Sequence, residues 1–289
     1  MTGIMQRLSD ISTIRAVMEK NGFQFSKALG QNFLINPSVC PRMAALSGAA
    51  DCAGAVEIGP GIGVLTYELS QAAKKVVAVE LDKRLLPVLD ETLADCDNVK
   101  IINADVMKLD LRRVIAEEFG GGEEVAVCAN LPYYITSPVI MRLLEERLPI
   151  TAVTVMVQKE AAERLCAPPG TRACGAVSAA VRYYAEPEVL FDVSRGSFMP
   201  APNVDSAVIQ LKIRKTPAVS VRDEKLFFRV VKAAFAQRRK TAVNSISNAM
   251  GIQKQRVAEA FESAGIPENA RAEALALEAF AALADRLGE

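Results

Sequence analysis

The segment Asn130-Leu131-Pro132-Tyr133 has residue types that suit chemistry at the exocyclic amine of a base. The lone pair of such an amine is delocalised into the ring, so a site must turn it toward the incoming group. The side-chain oxygen of Asn130 and the main-chain oxygen of Leu131 can each accept one N–H of the amine. Pro132 restricts the backbone that presents these oxygens, and Tyr133 offers a face on which a base can stack. These residue types are compatible with group transfer to a base amine; a plain turn at a strand end is the alternative.

A glycine-rich loop lies earlier in the chain, in the run EIGPGIGVLT. Gly59, Gly61 and Gly63 allow a tight turn after a strand and close approach of the backbone to a ligand. The spacing is G-x-G-x-G, whereas dinucleotide-binding loops have G-x-G-x-x-G, which packs helix and strand around a pyrophosphate. We assign Gly59 and Gly61 to cofactor binding; a structural strand-to-helix turn is the alternative for the loop alone.

Two acidic residues follow the next two apolar runs of the chain. Glu80 ends the run VVAVE, where a carboxylate can accept hydrogen bonds from both hydroxyls of a ribose. Asp105 follows the run VKIIN, where a carboxylate can accept from the amine of an adenine; a solvated loop acid is the alternative. Because these acids, the glycine loop and Asn130 all follow strands, they should meet at the carboxyl edge of one sheet. Together they predict a nucleoside cofactor.

Short apolar runs alternate with helical segments from Ala55 to Val157, which predicts a parallel sheet with helical crossovers. The runs are AVEIG, VVAVE, VKIIN, VAVCAN and AVTVMV. Two further strands, EVLFDV and SAVIQLKI, would complete a seven-stranded sheet, so we predict an α/β fold of the Rossmann-like class. Ahead of this sheet, a helical pattern runs from near Leu8 to Lys20, and the polar segment FSKALGQNFLINP is expected on the surface.

The pattern changes at Lys215-Thr216-Pro217, after which only helical periodicity remains. We predict helices over residues 223–237, 254–264 and 270–287. The predicted domains are residues 1–216, which contain the sheet, and residues 217–289, a small all-helical domain.

The segment CANLPYYITSP resembles the Asn/Asp-Pro-Pro-Tyr signature of methyltransferases that modify exocyclic amines, in the Asn-Leu-Pro-Tyr form of the ribosomal RNA adenine dimethyltransferases. Glu57, directly before the glycine turn, is also typical of methyltransferases. Further matches extend over nearly the whole chain. GQNFLINP resembles the family's cofactor lid, SFMPAPNVDSAV its F-x-P-x-P segment, and AFAQRRKTAVNSI and RAEALALEAFAAL its helical C-terminal domain. The chain is thus similar to the bacterial 16S ribosomal RNA adenine dimethyltransferases, the kasugamycin-sensitivity family.

This resemblance implies transfer of methyl groups from S-adenosylmethionine to N6 of two adjacent adenosines in the 3′-terminal hairpin loop of 16S rRNA, during biogenesis of the small ribosomal subunit. It implies that Asn32 and Leu34 of the lid contact the cofactor, as Asn130 also does. It further implies that Phe198 faces Tyr133 across the target adenine, which is flipped out of an RNA loop.

The chain departs from the family pattern at two positions, Ala104, which is often Gly, and Asn203, which is often Lys. The second departure removes one positive charge from an RNA contact, and neither touches the amine-binding residues. Three other functions remain open: a 23S rRNA adenine methyltransferase of the macrolide-resistance type, a non-catalytic ribosome-assembly factor on the same fold, and an NAD-linked oxidoreductase. The glycine spacing disfavours the oxidoreductase, and retention of Glu80, Asp105 and Asn130 favours an enzyme over a binding protein.

A basic segment near the C-terminal end of the chain is the predicted RNA-binding surface. Lys225, Arg229, Lys232, Arg239 and Lys240 would share one face of a helix that runs unbroken, with Arg238 beside them. Arg112, Arg113 and the region from Lys20 to Lys27 would extend this surface. A solvated helix face is the alternative.

Bulk composition excludes several classes of protein. The 289 residues contain no histidine and carry a formal net charge of zero, which removes the commonest general base and zinc ligand. The six cysteines form no C-x-x-C pair, and no run approaches the roughly 20 apolar residues of a membrane span. We therefore expect no disulfide, no metal site and no membrane association, and a location in the cytoplasm. The resemblance to the 16S rRNA adenine dimethyltransferases implies a monomer with 16S rRNA as its partner.

Overall fold

The computed structural model describes residues 8, 11–22 and 32–289. Its strands, in chain order, are β1 (Phe33–Leu34), β2 (Ala55–Ile58), β3 (Val76–Glu80), β4 (Val99–Asn103), β5 (Val125–Asn130), β6 (Ile150–Gln158), β7 (Ala185–Val193), β8 (Phe198–Met199) and β9 (Ser206–Ile213). Its helices are α1 (Ile11–Lys20), α2 (Val39–Leu46), α3 (Val64–Ala72), α4 (Leu86–Thr92), α5 (Leu111–Phe119), α6 (Thr136–Glu145), α7 (Lys159–Cys166), α8 (Ala176–Tyr184), α9 (Glu224–Ala234), α10 (Ala242–Met250), α11 (Lys254–Ser263) and α12 (Leu277–Leu287). None of the helices in these ranges combines the length and apolar composition of a membrane span.

Seven strands form one sheet in the order β4-β3-β2-β5-β6-β9-β7. Neighbours from β4 to β6 pair in parallel, and β9 pairs antiparallel with β6. The strands β2 and β3 are buried along their whole length, which explains why they are continuous apolar runs. The order reverses between β2 and β5. From β2, the strands β3 and β4 extend the sheet on one side, whereas β5 and β6 extend it on the other. The predicted seven-stranded Rossmann-like class is confirmed.

A second, two-stranded sheet joins β1 to β8, with Leu34 opposite Phe198. Phe33 and Leu34 are buried, so the expectation that this end of FSKALGQNFLINP lies on the surface is wrong. Pairing with β8 satisfies the polar backbone here and lets both side chains enter the core. Residues 25–31 of that segment lie outside the described residues.

The chain divides into two compact units, residues 1–162 with 188–213 and residues 163–187 with 214–289. The second unit differs from the predicted domain of residues 217–289 because it includes α8. Aromatic packing explains the difference: Tyr183 and Tyr184 of α8 contact Phe228 of α9, with ring centroids 5.1 and 5.5 Å apart. Both tyrosine hydroxyls also donate to the carboxylate of Glu224 at 3.0 Å.

Two predicted helix boundaries in the second unit are wrong. The helix expected over residues 223–237 ends at Ala234, because Ser245 of α10 interrupts its hydrogen bonds. The Ser245 hydroxyl donates to the Ala233 carbonyl at 2.7 Å and accepts from the Gln237 N–H at 3.1 Å. The chain then turns until Thr241, whose hydroxyl caps α10. The helix expected over residues 270–287 begins only at Leu277.

Candidate active site

A cavity of about 360 Å³ lies at the carboxyl ends of β2, β3, β4 and β5. In open α/β sheets, ligands bind in the crevice where the strand order reverses, and this cavity lies there. Its lining contains every site residue that the sequence predicted for the first unit: Asn32, Leu34, Gly59, Gly61, Glu80, Asp105, Asn130, Leu131, Tyr133 and Phe198.

The glycine loop after β2 needs backbone conformations that glycine adopts without strain. Gly59 has a φ of 72° and Gly61 a φ of 61°. A Cβ atom on Gly59 would meet nothing within 4 Å, so a ligand has room to approach the backbone there. The Gly61 N–H donates to Glu80 Oε2 at 3.4 Å, which ties this loop to the end of β3.

Glu80 is a buried acid at the end of β3. Its Oε1 accepts from the Asp82 N–H at 2.7 Å. Burial raises the pKa of Glu80, and the N–H groups of Asp82 and Gly61 oppose that rise. An ionised carboxylate has about four acceptor sites, so Glu80 can also accept from ligand hydroxyls while these backbone bonds hold it in place.

Asp105 lies in the turn after β4, where its Oδ1 accepts from the Met107 N–H at 2.9 Å. Arg142 of α6 also stabilises this turn. The Arg142 guanidinium donates to the carbonyl of Val106 and, at 2.7 Å, to that of Leu109. Because α6 follows the Asn130 segment, Arg142 connects two walls of the cavity.

Glu57, inside β2, is only 1% exposed and lines the cavity. Burial raises its pKa to about 8, the Thr66 hydroxyl opposes that rise, and the Glu80 carboxylate adds to it. Neither Glu57 Oε2 nor Thr66 Oγ1 completes a hydrogen bond with any group in the part of the chain that the structure describes. A desolvated carboxyl with one unpartnered oxygen suits a cationic group of a ligand.

The end of β5 and the residue after it lie at the cavity wall, since Asn130 and Leu131 both line the cavity. Asn130 ends the strand and Leu131 is 2% exposed. The Pro132 carbonyl accepts from the Ile135 N–H at 3.1 Å and from the Thr136 hydroxyl at 3.3 Å. These bonds close the segment into the start of α6, so Asn130 and Leu131 are held by the sheet on one side and a helix on the other.

Two aromatic rings, those of Tyr133 and Phe198, line the same cavity. The half-buried Tyr133 places its hydroxyl 2.9 Å from Ser206 Oγ. Burial raises the pKa of Tyr133, and the Ser206 hydroxyl opposes that rise. Phe198 is 4% exposed, and Tyr134, at 60%, is the exposed aromatic of the lining. That a base enters between Phe198 and Tyr133 stays a prediction.

The residues predicted to bind RNA are exposed and belong to the second unit. They are Arg229, Lys232, Arg238, Arg239 and Lys240. The prediction that they share one helix face is wrong, because α9 ends before the last three of these residues. The Arg238 guanidinium donates to the Arg172 carbonyl at 2.6 Å. Their binding to RNA stays a prediction.

The predicted extensions of this surface have protein partners. Arg112 donates to the carbonyls of Glu146 and Arg147, each at 2.7 Å. Arg113 pairs with Glu117 at 2.7 Å, and Lys20 pairs with Glu91 at the same distance. Residues 23–31, including Lys27, lie outside the described residues.

Sequence reasoning did not assign Glu57, Arg142 or Ser206 to the site. An acid inside the apolar run AVEIG was a usable signal for Glu57. The other two contact the site across long stretches of chain, 36 residues from Arg142 to Val106 and 73 from Ser206 to Tyr133. No local pattern reveals such contacts.

Comparison with known proteins gives concordant matches. The model of the family described as "Ribosomal RNA adenine dimethylase" matches residues 22–289. Ribosomal RNA small subunit methyltransferase A of Geobacillus sp. (strain WCH70) is 49% identical over 96% of this chain and 98% of its own. The Bacillus licheniformis protein of the same name is 48% identical over 97% of this chain and 98% of its own. Among solved structures, the 23S rRNA methyltransferase ErmE is 26% identical with a TM-score of 0.68, covering 89% of this chain and 100% of its own.

The doubly wound sheet, with its cavity at the reversal of strand order, defines a Rossmann-like methyltransferase domain. The fold is shared by a dimethyladenosine transferase from Plasmodium falciparum, which is 22% identical with a TM-score of 0.69 over 87% of this chain and 95% of that one. The chain belongs to the ribosomal RNA adenine dimethylase family. It is an S-adenosylmethionine-dependent enzyme that dimethylates adenine in ribosomal RNA, which confirms the predicted activity and cofactor and excludes the oxidoreductase.

Proposed function

We propose that this enzyme dimethylates N6 of two adjacent adenosines in the 3′-terminal hairpin loop of 16S rRNA, in the small ribosomal subunit or its precursor. One observation carries the proposal: a single cavity holds both the acids suited to a nucleoside and the Asn130-Leu131-Pro132-Tyr133 segment. Because one chain supplies all of these residues, we propose that the monomer is the active form. It acts in the cytoplasm, with the ribosomal RNA.

The residues of the cavity fit S-adenosylmethionine. Glu80 would accept from the ribose hydroxyls and Asp105 from the adenine amine, while Gly59 leaves room beside the backbone. The unpartnered Oε2 of Glu57 is the specific test of fit, because the cofactor carries an ammonium group that a buried carboxylate can hold. Asn32 and Leu34, which also line the cavity, would contact the cofactor from the β1 side. When bound, S-adenosylmethionine supplies a methyl group on a positively charged sulfur.

The protein's own contribution is orientation. Asn130 Oδ1 and the Leu131 carbonyl each accept one N–H of the target amine, so the lone pair points toward the methyl group. Tyr133 and Phe198 hold the base between their rings. No side chain has to act as a strong base, because the methylated amine is acidic enough to lose its proton to water. Alignment of this kind can contribute several kcal/mol to lowering a barrier.

The choice of the small subunit rests on the relatives. The proteins that are 49% and 48% identical carry the name ribosomal RNA small subunit methyltransferase A, whereas the 23S rRNA methyltransferase is 26% identical. The exposed basic residues of the second unit, Arg229, Lys232 and Arg238–Lys240, would bind phosphates of the RNA.

A methyl-transfer assay on ribosomal subunits tests the proposal. Small and large subunits that lack the modification are incubated with labelled S-adenosylmethionine, and the rRNA is digested and analysed by mass spectrometry. We expect two N6,N6-dimethyladenosines in the 3′-terminal hairpin of 16S rRNA and no label in 23S rRNA. Label in 23S rRNA alone, or cofactor binding without transfer to either subunit, would refute it.

A further inference from the structure

The Tyr133 hydroxyl is bonded to a fixed point of the sheet. Its oxygen lies 2.9 Å from Ser206 Oγ. Ser206 is the first residue of β9, pairs with Gln158 of β6, and is 0% exposed. The neighbouring Asp205 is held as well, because its carbonyl accepts from the Lys159 N–H at 3.0 Å. Ser206 therefore presents its hydroxyl from a rigid backbone, whereas Tyr133 lies in a turn between a strand and a helix.

A tyrosine ring turns about two side-chain bonds, and a base can stack on it only in some of the resulting orientations. A hydrogen bond at the far end of the ring removes most of that freedom. The cavity lining that includes Tyr133 and Phe198 also includes Asn130 and Leu131, whose oxygens are the proposed acceptors. Its orientation therefore determines where a stacked base lies relative to those oxygens.

We propose that Ser206 is a positioning residue for methyl transfer: its hydroxyl orients the Tyr133 ring so that the target adenine stacks with its amine at Asn130 and Leu131. This rests on the proposed function, in which adenine enters this cavity. The competing explanation is that the hydroxyl only satisfies a buried polar group and stabilises the fold.

A double-mutant cycle separates the two explanations. Ser206→Ala and Tyr133→Phe each delete the same hydrogen bond, and Tyr133→Phe retains the ring. At saturating S-adenosylmethionine, with small subunits as substrate, we expect each variant to lower kcat about fivefold, the effect of one neutral hydrogen bond. The double variant should also show a decrease of about fivefold, and not the roughly 25-fold of two independent effects. Affinity for S-adenosylmethionine, measured by calorimetry, should stay at the parental value.

Ser47→Ala is the matched control. Ser47 is also 0% exposed in the first unit, but its hydroxyl donates to the Ala44 carbonyl at 2.7 Å and does not line the cavity. This variant should lower the melting temperature and leave kcat unchanged. Parental kcat in Ser206→Ala, or multiplicative decreases in the double variant, would overturn the positioning role. If Ser206→Ala does not fold, a parental kcat in Tyr133→Phe is by itself enough to overturn the positioning role. Failure of the parent enzyme to methylate small subunits would instead count against the proposed function.

Discussion

The affinity for S-adenosylmethionine should depend on pH through Glu57. Burial raises the pKa of this carboxyl to about 8 in the ligand-free protein, so near neutral pH it is mostly protonated. A bound ammonium group favours the ionised form, because an opposite charge nearby lowers the pKa of a carboxyl. Binding should therefore release a proton, and affinity should rise as the pH rises toward 8.

The magnitude follows from the pKa. Ionising a group with a pKa of about 8 costs about 1.4 kcal/mol at pH 7 and about 2.7 kcal/mol at pH 6. The association constant should therefore rise about tenfold per pH unit over this range. Glu80 has a raised pKa as well, so a curve of affinity against pH for the parent alone would combine the titrations of Glu57 and Glu80. Glu57→Gln isolates the contribution of Glu57, and its slope of log affinity against pH should be lower than the parental slope by about one.

Calorimetry from pH 5.5 to 7, in two buffers of different ionisation enthalpy, measures both affinity and proton release. The window stays below pH 7 because an α-amino group ordinarily titrates at about 7.7–8.0. S-adenosylhomocysteine keeps the ammonium group and lacks the sulfonium charge, so it should show the same slope. Equal slopes and equal proton release in the parent and in Glu57→Gln would refute the assignment of Glu57 to the ammonium group.

Three further results are expected. Because the folded pKa of Glu57 exceeds its ordinary value of 4.5, the contribution of this residue to the stability of the ligand-free protein is fully present below about pH 4.5 and is lost between there and about pH 8. Denaturant titrations should show this loss in the parent and not in Glu57→Gln. Glu80→Ala should weaken S-adenosylmethionine binding by about 1–3 kcal/mol, and unchanged affinity in a folded variant would remove Glu80 from the cofactor site. Replacing Arg229, Lys232 and Arg239 together should weaken binding of small subunits and leave cofactor affinity unaltered. The slope of log affinity against log salt concentration should fall in magnitude by about 0.7–0.9 for each RNA phosphate that these side chains neutralise in the parent. An unchanged slope would favour a solvated surface.

Much of the candidate site could be predicted because its residues end consecutive parallel strands. Glu80, Asp105 and Asn130 end or follow β3, β4 and β5. Parallel strands bring their carboxyl ends to one edge, so a correct set of strands already places these residues together. The glycine loop adds its own local signal, because each glycine in it has a positive φ.

Features that depend on contacts distant in sequence could not be predicted. The end of α9 depends on the Ser245 hydroxyl, which follows the Ala233 carbonyl by 12 residues. The second unit includes α8 because Tyr183 and Tyr184 pack against α9, and neither residue shows this locally. Helical periodicity continues past residue 234 in the sequence, so the pattern alone favours a longer helix and a single basic face.

The measurement that tests the central claim most directly is methyl transfer by Asn130→Ala. Loss of the Asn130 side chain leaves the target amine with one acceptor, so the nitrogen lone pair is poorly oriented toward the methyl group. At saturating S-adenosylmethionine, with small subunits as substrate, we expect the rate to fall at least about a hundredfold, or about 2.7 kcal/mol, with unchanged RNA affinity. Asn98→Ala is the control, since Asn98 donates to the Ser70 and Ala73 carbonyls and does not line the cavity; it should keep the parental rate. An Asn130→Ala enzyme that dimethylates adenine at the parental rate would contradict the assignment of the catalytic centre to this segment.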